Sequence, residues 1–391
     1  MNPSASGWVK KLLKHIQDQH AFLDYDNTSL YQILKESGFI YGSNIALIEP
    51  SIDALDFTDE ELCKVNLVLT LYYVHHKNEE KTNFVSSLVD FYREISEHKA
   101  SFFEELLGLR KSAALLEKII HKRIHIDDNF ITQNFNHFIV NALLFVDVLA
   151  YNNFLKSGTL SKSYIENIEA AIDVIVFKVF DLKSEKTEYD LKLIKLIESS
   201  LRFHNNNPSD YSKAIYSINS ELEKKYIIDI VCMASWSDRF IDQEEVNFLN
   251  QLKTDLEINN EVIDTSIDDI NQFYLSNKDK IAFLNSKNLV QSFYDNSSKL
   301  VNKLIKRNSK RLLKELKESK DVMLLLTQST TRKLTDEEQK QIQNQLLDIF
   351  KSIPSLAIFI LPGGMLLLPL VVKLIPKLLP SAFDDNRIED D

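Results

Sequence analysis

Three carboxylates cluster at a helix start in Ser237-Asp238-Arg239-Phe240-Ile241-Asp242-Gln243-Glu244-Glu245. Asp238, Asp242 and Glu245 are spaced to gather oxygen around a hard cation such as Ca²⁺. Three side chains underfill a shell of about six to eight oxygens, and helix capping by Asp242 and Glu245 accounts for two of them without any metal. A divalent cation is thus the one cofactor the residues would admit. His121 and His125 stand one helical turn apart in HKRIH, a spacing that can chelate a transition metal. Position 122 is Lys rather than Glu, so the metalloprotease pattern fails and both read as solvated histidines. His75 and His76, as sequence neighbours on a helix, face different directions. Cys63 and Cys232, the only cysteines, fall in apolar helical patterns and read as core thiols of a reducing compartment. No nucleophile elbow, phosphate-cradling loop or dinucleotide fingerprint occurs, as expected of a chain with seven glycines. No residue is assigned a catalytic role, and the chain is expected not to be an enzyme.

The elements that must carry these residues are helical. Few glycines and eight prolines leave little turn chemistry for sheets, and 391 residues exceed one compact core, so an all-α chain of several helical hairpins is expected. Thr58-Asp59-Glu60-Glu61, Asp242-Gln243-Glu244-Glu245 and Thr335-Asp336-Glu337-Glu338 each read as a capped start, opening helices through Tyr73, Leu256 and Phe350. Apolar residues at three and four spacing predict further helices over Phe84–Ile95, Ser112–Arg123, Phe135–Tyr151, Ser163–Phe180, Glu188–Phe203 and Ala214–Trp236. Breaks near 126–130, at Asn205-Asn206-Asn207-Pro208 and near 276–288 divide the chain. The expected segments are an N-terminal helical region 1–125, a hairpin region 126–205, a helical domain 206–285 and a final region 286–391.

Charge is unevenly spread. The chain carries a formal −11, which argues against DNA as a partner. Between Lys299 and Lys320, however, nine basic residues meet only two acidic ones. Leu300, Leu304, Leu312 and Leu316 share one face of that stretch, and Lys303, Lys306, Arg307, Lys310, Arg311 and Lys314 surround it. Such a helix suits an anionic leaflet. RNA is the rival partner, and the absence of interleaved aromatics in the stretch favours lipid.

From Ile353 to Val372 the chain reads IPSLAIFILPGGMLLLPLVV, twenty residues without a charge. That is the length needed to cross ~30 Å of hydrocarbon as a helix. Pro354, Pro362, Pro369, Pro376 and Pro380 are five of the eight prolines, and Gly363-Gly364 sit mid-segment near Phe359. In water each interior proline costs a helix ~3 kcal/mol. Proline-broken helices survive in bilayers where neighbouring protein satisfies the freed carbonyls, so the segment reads as transmembrane or re-entrant. The same residues also fit a core hairpin of a soluble domain bent at Pro362-Gly363-Gly364. Lys373 and Lys377 follow one turn apart, placed to reach a headgroup layer.

Residues 310–386, with LTQS at 326–329, the capped helix from Thr335 and the proline-rich segment ending in Leu379-Pro380-Ser381-Ala382-Phe383, resemble the leucine-zipper/EF-hand transmembrane family. The resemblance implies membrane residence, a role in cation or proton homeostasis and ribosome contact. That contact would rest largely on helices beyond the motif, and the sequence given ends eight residues after it. A LETM-related, biofilm-associated type is the nearest description. Residues 226–258 resemble the tellurite-resistance TerB-like helical domain, with Arg239 where that group carries Gly.

The expected function is a membrane-associated interaction or scaffold protein that binds membrane lipid and an unidentified protein partner. One alternative is a homo-oligomeric cation or proton transport component. The other is a soluble TerB-like stress-response module. Met1 to Gln19 lacks an apolar core and cleavage site, so no secretory signal is expected. The bulk of the chain is expected to be cytoplasmic, attached at a bacterial inner membrane.

Overall fold

The structure, a computed structural model, describes residues 1–18, 21–78, 82–97, 112–124, 141–159, 162–183, 186, 188–201, 211–236, 243–277, 298, 300–353, 356, 359 and 367–379. Every regular element among them is helical. The chain divides into two compact units. One covers Gly7–Asp127 and Ile139–Asn285, and the other consists mainly of Ser286–Asp391.

The first unit holds α1 (Trp8–Asp18), α2 (Asn27–Glu36), α3 (Asp59–Lys77), α4 (Phe84–Glu97), α5 (Ala113–Ile124) and α6 (Phe145–Ser157). It continues with α7 (Lys162–Leu182), α8 (Glu188–Ser200), α9 (Tyr211–Tyr216), α10 (Glu221–Ser235), α11 (Gln243–Asp255) and α12 (Asn260–Asn277). Residues from Trp8 to Tyr274 contribute to one buried cluster. The capping box foreseen at Thr58 is present, with Glu61 accepting from the Thr58 amide and Thr58 from the Glu61 amide. Ala214–Trp236 is two helices rather than the single one expected, because Ser220 and Glu223 form a further box that starts α10 afresh. The described part of Phe135–Tyr151 is helical from Phe145 and ends at Gly158, whose φ of 76° closes it.

Helix α10 is apolar nearly all round and sits centrally, against α7 and α12. Its Asp229 is fully buried, and a buried carboxylate requires partners. Lys35 Nζ lies 2.7 Å from Asp229 Oδ1, and the Tyr31 hydroxyl donates to Oδ2 at 2.8 Å. Lys35 also meets Asp269 Oδ2 at 2.6 Å, so one ammonium joins α2, α10 and α12. Burial alone would depress the Lys35 ammonium, but the two carboxylates outweigh it and hold its pKa above the ordinary value. Two more buried pairs recur in this unit. Arg123 grips Asp147 through two bonds of 2.7 and 2.8 Å, and Lys183 meets Asp190 at 2.7 Å. At the start of α1, which has no acidic residue in its first turn, Glu117 of α5 accepts from the Gly7 and Val9 amides, each at 3.0 Å.

In the second unit a helical run over 300–307 stops at Asn308, and α13 (Ser309–Glu318), α14 (Lys320–Thr331), α15 (Asp336–Ser352) and α16 (Leu368–Leu378) follow. The basic stretch 299–320 is therefore not one helix. Asn308 breaks it, its side-chain amide donating to the Leu304 carbonyl. Leu304, Leu312 and Leu316 point into this unit's own core, with Ile342, Leu346, Phe350 and Val371.

Replacing Lys35 by Met removes the cation shared by Asp229 and Asp269. Stability should fall by about 3–5 kcal/mol in denaturant titration, because a buried carboxylate is left uncompensated. A loss under 1 kcal/mol would show that the pair does not anchor the unit.

Candidate functional site

The described part of the apolar stretch packs as core. Ile353, Leu356, Phe359, Leu367, Leu368 and Val371 are buried, and the Phe359 ring stands 5.1 Å from that of Phe350. Pro354, Pro362, Gly363, Gly364, Pro380 and Phe383 lie outside the described residues. Among the described residues of the stretch only α16 is a regular apolar helix, eleven residues long. Pro369 falls in its first turn, where a missing N–H costs no bond, and Pro376 near its end. Among the described residues no helix is long and apolar enough to cross a membrane.

Beside α16 lies a groove of about 670 Å³. The end of α14, the turn 332–334, α15 and α16 form it. Leu334 and Ile342 are buried behind it, its apolar surface comes from Pro369, Val372 and Pro376, and its charge from Arg332, Lys333, Lys373 and Lys377. The sequence had marked Pro369, Lys373, Pro376 and Lys377, and the fold brings these four together. It had not marked Arg332, Lys333 or Ile342, which enter through the turn and α15. The legible signal was the Thr335 capping box, which fixes where that turn ends.

Glu338 builds the wall. Its carboxylate accepts from the Thr335 amide at 2.8 Å and takes Arg332 through Nη1 at 2.7 Å and Nη2 at 2.6 Å. Arg332 Nη2 also donates to Gln328 Oε1 at 2.6 Å. Arg332 is thus committed to holding the turn against α14. The guanidinium first, and the Thr335 amide next, pull the Glu338 carboxyl down to about 2. No carboxylate pairs with Lys333, Lys373 or Lys377 among the described residues.

The basic residues marked by the sequence occupy this unit's surface. Lys306, Lys310, Arg311 and Lys314 are exposed, while Lys303 and Arg307 are half-buried. Arg311 also donates to the Ser352 carbonyl and so ties α13 to the end of α15.

The carboxylate cluster of the first unit is only partly within view, since Asp238 and Asp242 lie outside the described residues. Glu245 is buried with Lys183 Nζ 3.5 Å away, so its carboxylate faces an ammonium. Among the described residues no three His, Cys, Asp or Glu side chains are placed to hold a metal.

Comparison with known proteins falls on the unit that contains the groove. Residues 334–391 match the family model described as LETM1-like, RBD. The LETM1 domain-containing protein mdm28, mitochondrial, of Schizosaccharomyces pombe is 43% identical over 54 residues, 14% of this chain and 11% of that protein. The LETM1 domain-containing protein YLH47, mitochondrial, of Saccharomyces cerevisiae is 31% identical over 110 residues, 28% of this chain and 21% of that protein. No solved structure matches. The C-terminal segment is LETM1-like, and it supports membership of the LETM family. The chain spans only about a tenth to a fifth of the curated relatives it matches. One expectation is corrected here. A bacterial inner membrane was expected, but both relatives are mitochondrial proteins of fungi, and the described residues contain no spanning helix.

The Glu338 carboxyl lies below its ordinary 4.5, so the stability it contributes is fully present above that value and is lost as pH falls towards about 2. Unfolding of the second unit, followed between pH 5 and 2, should lose this component in Glu338→Gln. An unchanged pH profile would show that the clamp does not hold the turn. Thr335→Ala should cost about 1 kcal/mol at neutral pH through the lost cap.

Proposed function

We propose that this chain is a non-enzymatic, LETM-related interaction protein whose C-terminal unit contacts an anionic membrane surface from outside the hydrocarbon. The observation that carries this reading is the division of labour along residues 300–320. Their leucines are spent on the unit's own core, while Lys306, Lys310, Arg311 and Lys314 stay exposed. A basic face without a free apolar face favours electrostatic attachment, worth ~1 kcal/mol for each basic residue near an anionic leaflet, over insertion. The burial of Ile353, Leu356, Phe359 and Leu367 supports the same choice, because residues packed in protein gain nothing further from lipid.

The first unit serves in this reading as a helical scaffold for a protein partner. The helix pair α10 and α11 supports the likeness of residues 226–258 to TerB-like domains, and the biofilm-associated branch belongs to the same reading. Cation homeostasis would follow indirectly. A transport path would need Asp or Glu within the apolar segment or several copies of the chain, and the segment contains no carboxylate. Ribosome contact is the competing polyanion reading.

The test is co-sedimentation of the full chain with vesicles of phosphatidylcholine, with and without phosphatidylglycerol, and with purified ribosomes. Binding should require the anionic lipid and weaken as salt rises. Lys306→Glu, Lys310→Glu and Lys314→Glu combined should weaken it by roughly a hundredfold. Equal binding to neutral vesicles, or pelleting with ribosomes alone, would overturn the reading.

A further inference from the structure

We infer that the groove between α15 and α16 is a binding site for a single anionic phospholipid, its phosphate held by Lys373 and Lys377 and an acyl chain laid over Pro369, Val372 and Pro376. The inference rests on the lipid contact proposed above and gives it a specific seat. Its volume of about 670 Å³ falls within the ~300–1,000 Å³ of ordinary ligand sites.

The chemistry of the lining selects the occupant. Lys333 from the turn and Lys373 and Lys377 from α16 bring positive charge to the rim, and among the described residues no Asp or Glu lines the groove. Arg332 is engaged by Glu338 and Gln328, so the lysines are the charges left for a ligand. The hydroxyls in the lining are already committed, since Ser329 donates to the Leu326 carbonyl at 2.7 Å and Thr330 to the Thr327 carbonyl at 2.6 Å. Gln339 likewise gives one amide hydrogen to the Leu334 carbonyl at 3.2 Å.

This inventory weighs against a peptide. A bound backbone brings an N–H and a C=O with every residue, and such groups are costly to bury unpaired. Two glutamine side chains and three ammonium groups offer too little to satisfy them. An acyl chain asks for no hydrogen bonds, and a phosphodiester asks for cations and donors alone, which the rim supplies. A free phosphate would use the lysines and leave the surface of Pro369, Val372 and Pro376 without a partner. An amphiphile with one negative charge uses both halves of the site.

Two lysines one turn apart on a helix lie about 5–6 Å from each other at Cβ, so one phosphate can sit between their ammonium groups. Lys333 faces them from the turn that Glu338 braces. The turn that carries Lys333 is therefore braced before any ligand arrives, which lowers the ordering cost of binding.

The experiment uses the full chain and monomeric dihexanoyl-phosphatidylglycerol below its micellar concentration, with calorimetric readout. Dihexanoyl-phosphatidylcholine, inorganic phosphate and an Asp-rich peptide serve as alternative probes. Saturable one-site binding of the glycerol lipid is expected, and Lys373→Glu with Lys377→Glu should weaken it at least about tenfold. The Lys306, Lys310 and Lys314 reversal should leave it unchanged, because those side chains are outside the groove. In the unmodified chain, a phosphatidylglycerol with a photoreactive group near the top of its acyl chain should label peptides containing Pro369, Val372 or Pro376. Phosphate binding as tightly as the lipid, displacement by the peptide at comparable concentration, or labelling confined to other helices would overturn the site. Because no bilayer is present, failure here with intact vesicle binding removes the groove alone. Binding here with failed sedimentation removes the surface reading alone.

Discussion

A proline cannot donate the hydrogen bond that continues a helix, and Pro369 stands in the first turn of α16, where that loss costs nothing. The twenty uncharged residues from 353 to 372 would, without imino acids, be long enough to span a bilayer. Among the described residues the regular apolar helix is α16, which starts at Leu368 with Pro369 in its first turn and extends for eleven residues. A helix of that length buries its apolar side most readily against other helices. Leu368, Val371 and Ile375 do so, sharing a core with Val322, Leu326, Ile342 and Phe350. The outward side of the same helix then carries Lys373 and Lys377 beside Pro369 and Pro376, and this mixture makes the groove both apolar and cationic.

The larger unit obeys a different constraint. Its helices bury charges that could exist in a low-dielectric interior only as pairs, and the pairs join different helices: Lys35 with Asp229 and Arg123 with Asp147, while Lys183 just after α7 meets Asp190 of α8 and Glu245 of α11. Apolar helices slide past one another at small cost, whereas a carboxylate such as Asp229 tolerates one register. A scaffold needs such fixed registers more than it needs extra stability. The unit's titratable groups inside the core are consumed by one another, and Cys63 and Cys232 are buried with thiols pushed well up by desolvation, out of the range of useful nucleophiles.

Much of this was legible in the sequence where a local rule decides the outcome. Thr58 and Thr335 with their glutamates three residues on marked helix starts because capping involves only neighbours. Ser220 and Glu223 obey the same rule but lie inside a continuous apolar pattern, and periodicity drew one helix over a boundary. The early helices α1 and α2 were not marked. The caps of α1 come from Glu117, about a hundred residues away, which no local rule can see. The basic stretch was recognised by composition, yet whether its leucines face lipid or protein depends on what α14 and α15 place opposite them. Lys373 and Lys377 were singled out as a pair by their spacing, while Lys333 and Ile342 joined them only through the folding of the turn at 332–335.

The LETM1-like match begins at Leu334, at the start of the groove's second wall, and covers α15 and α16 but not Arg332 or Lys333. Both helices that form the walls therefore belong to the matched domain, while the turn that closes one end is contributed by the residues before it. Glu338, inside the match, reaches back to Arg332, outside it, so the clamp joins the two stretches. If the domain's use depends on the groove, the identity of residues just ahead of the matched region should govern charge at the rim without altering the helices. Lys333 is in that position. It is exposed, bonded through its carbonyl rather than its side chain, and free to vary the ligand preference of a site whose shape is set elsewhere.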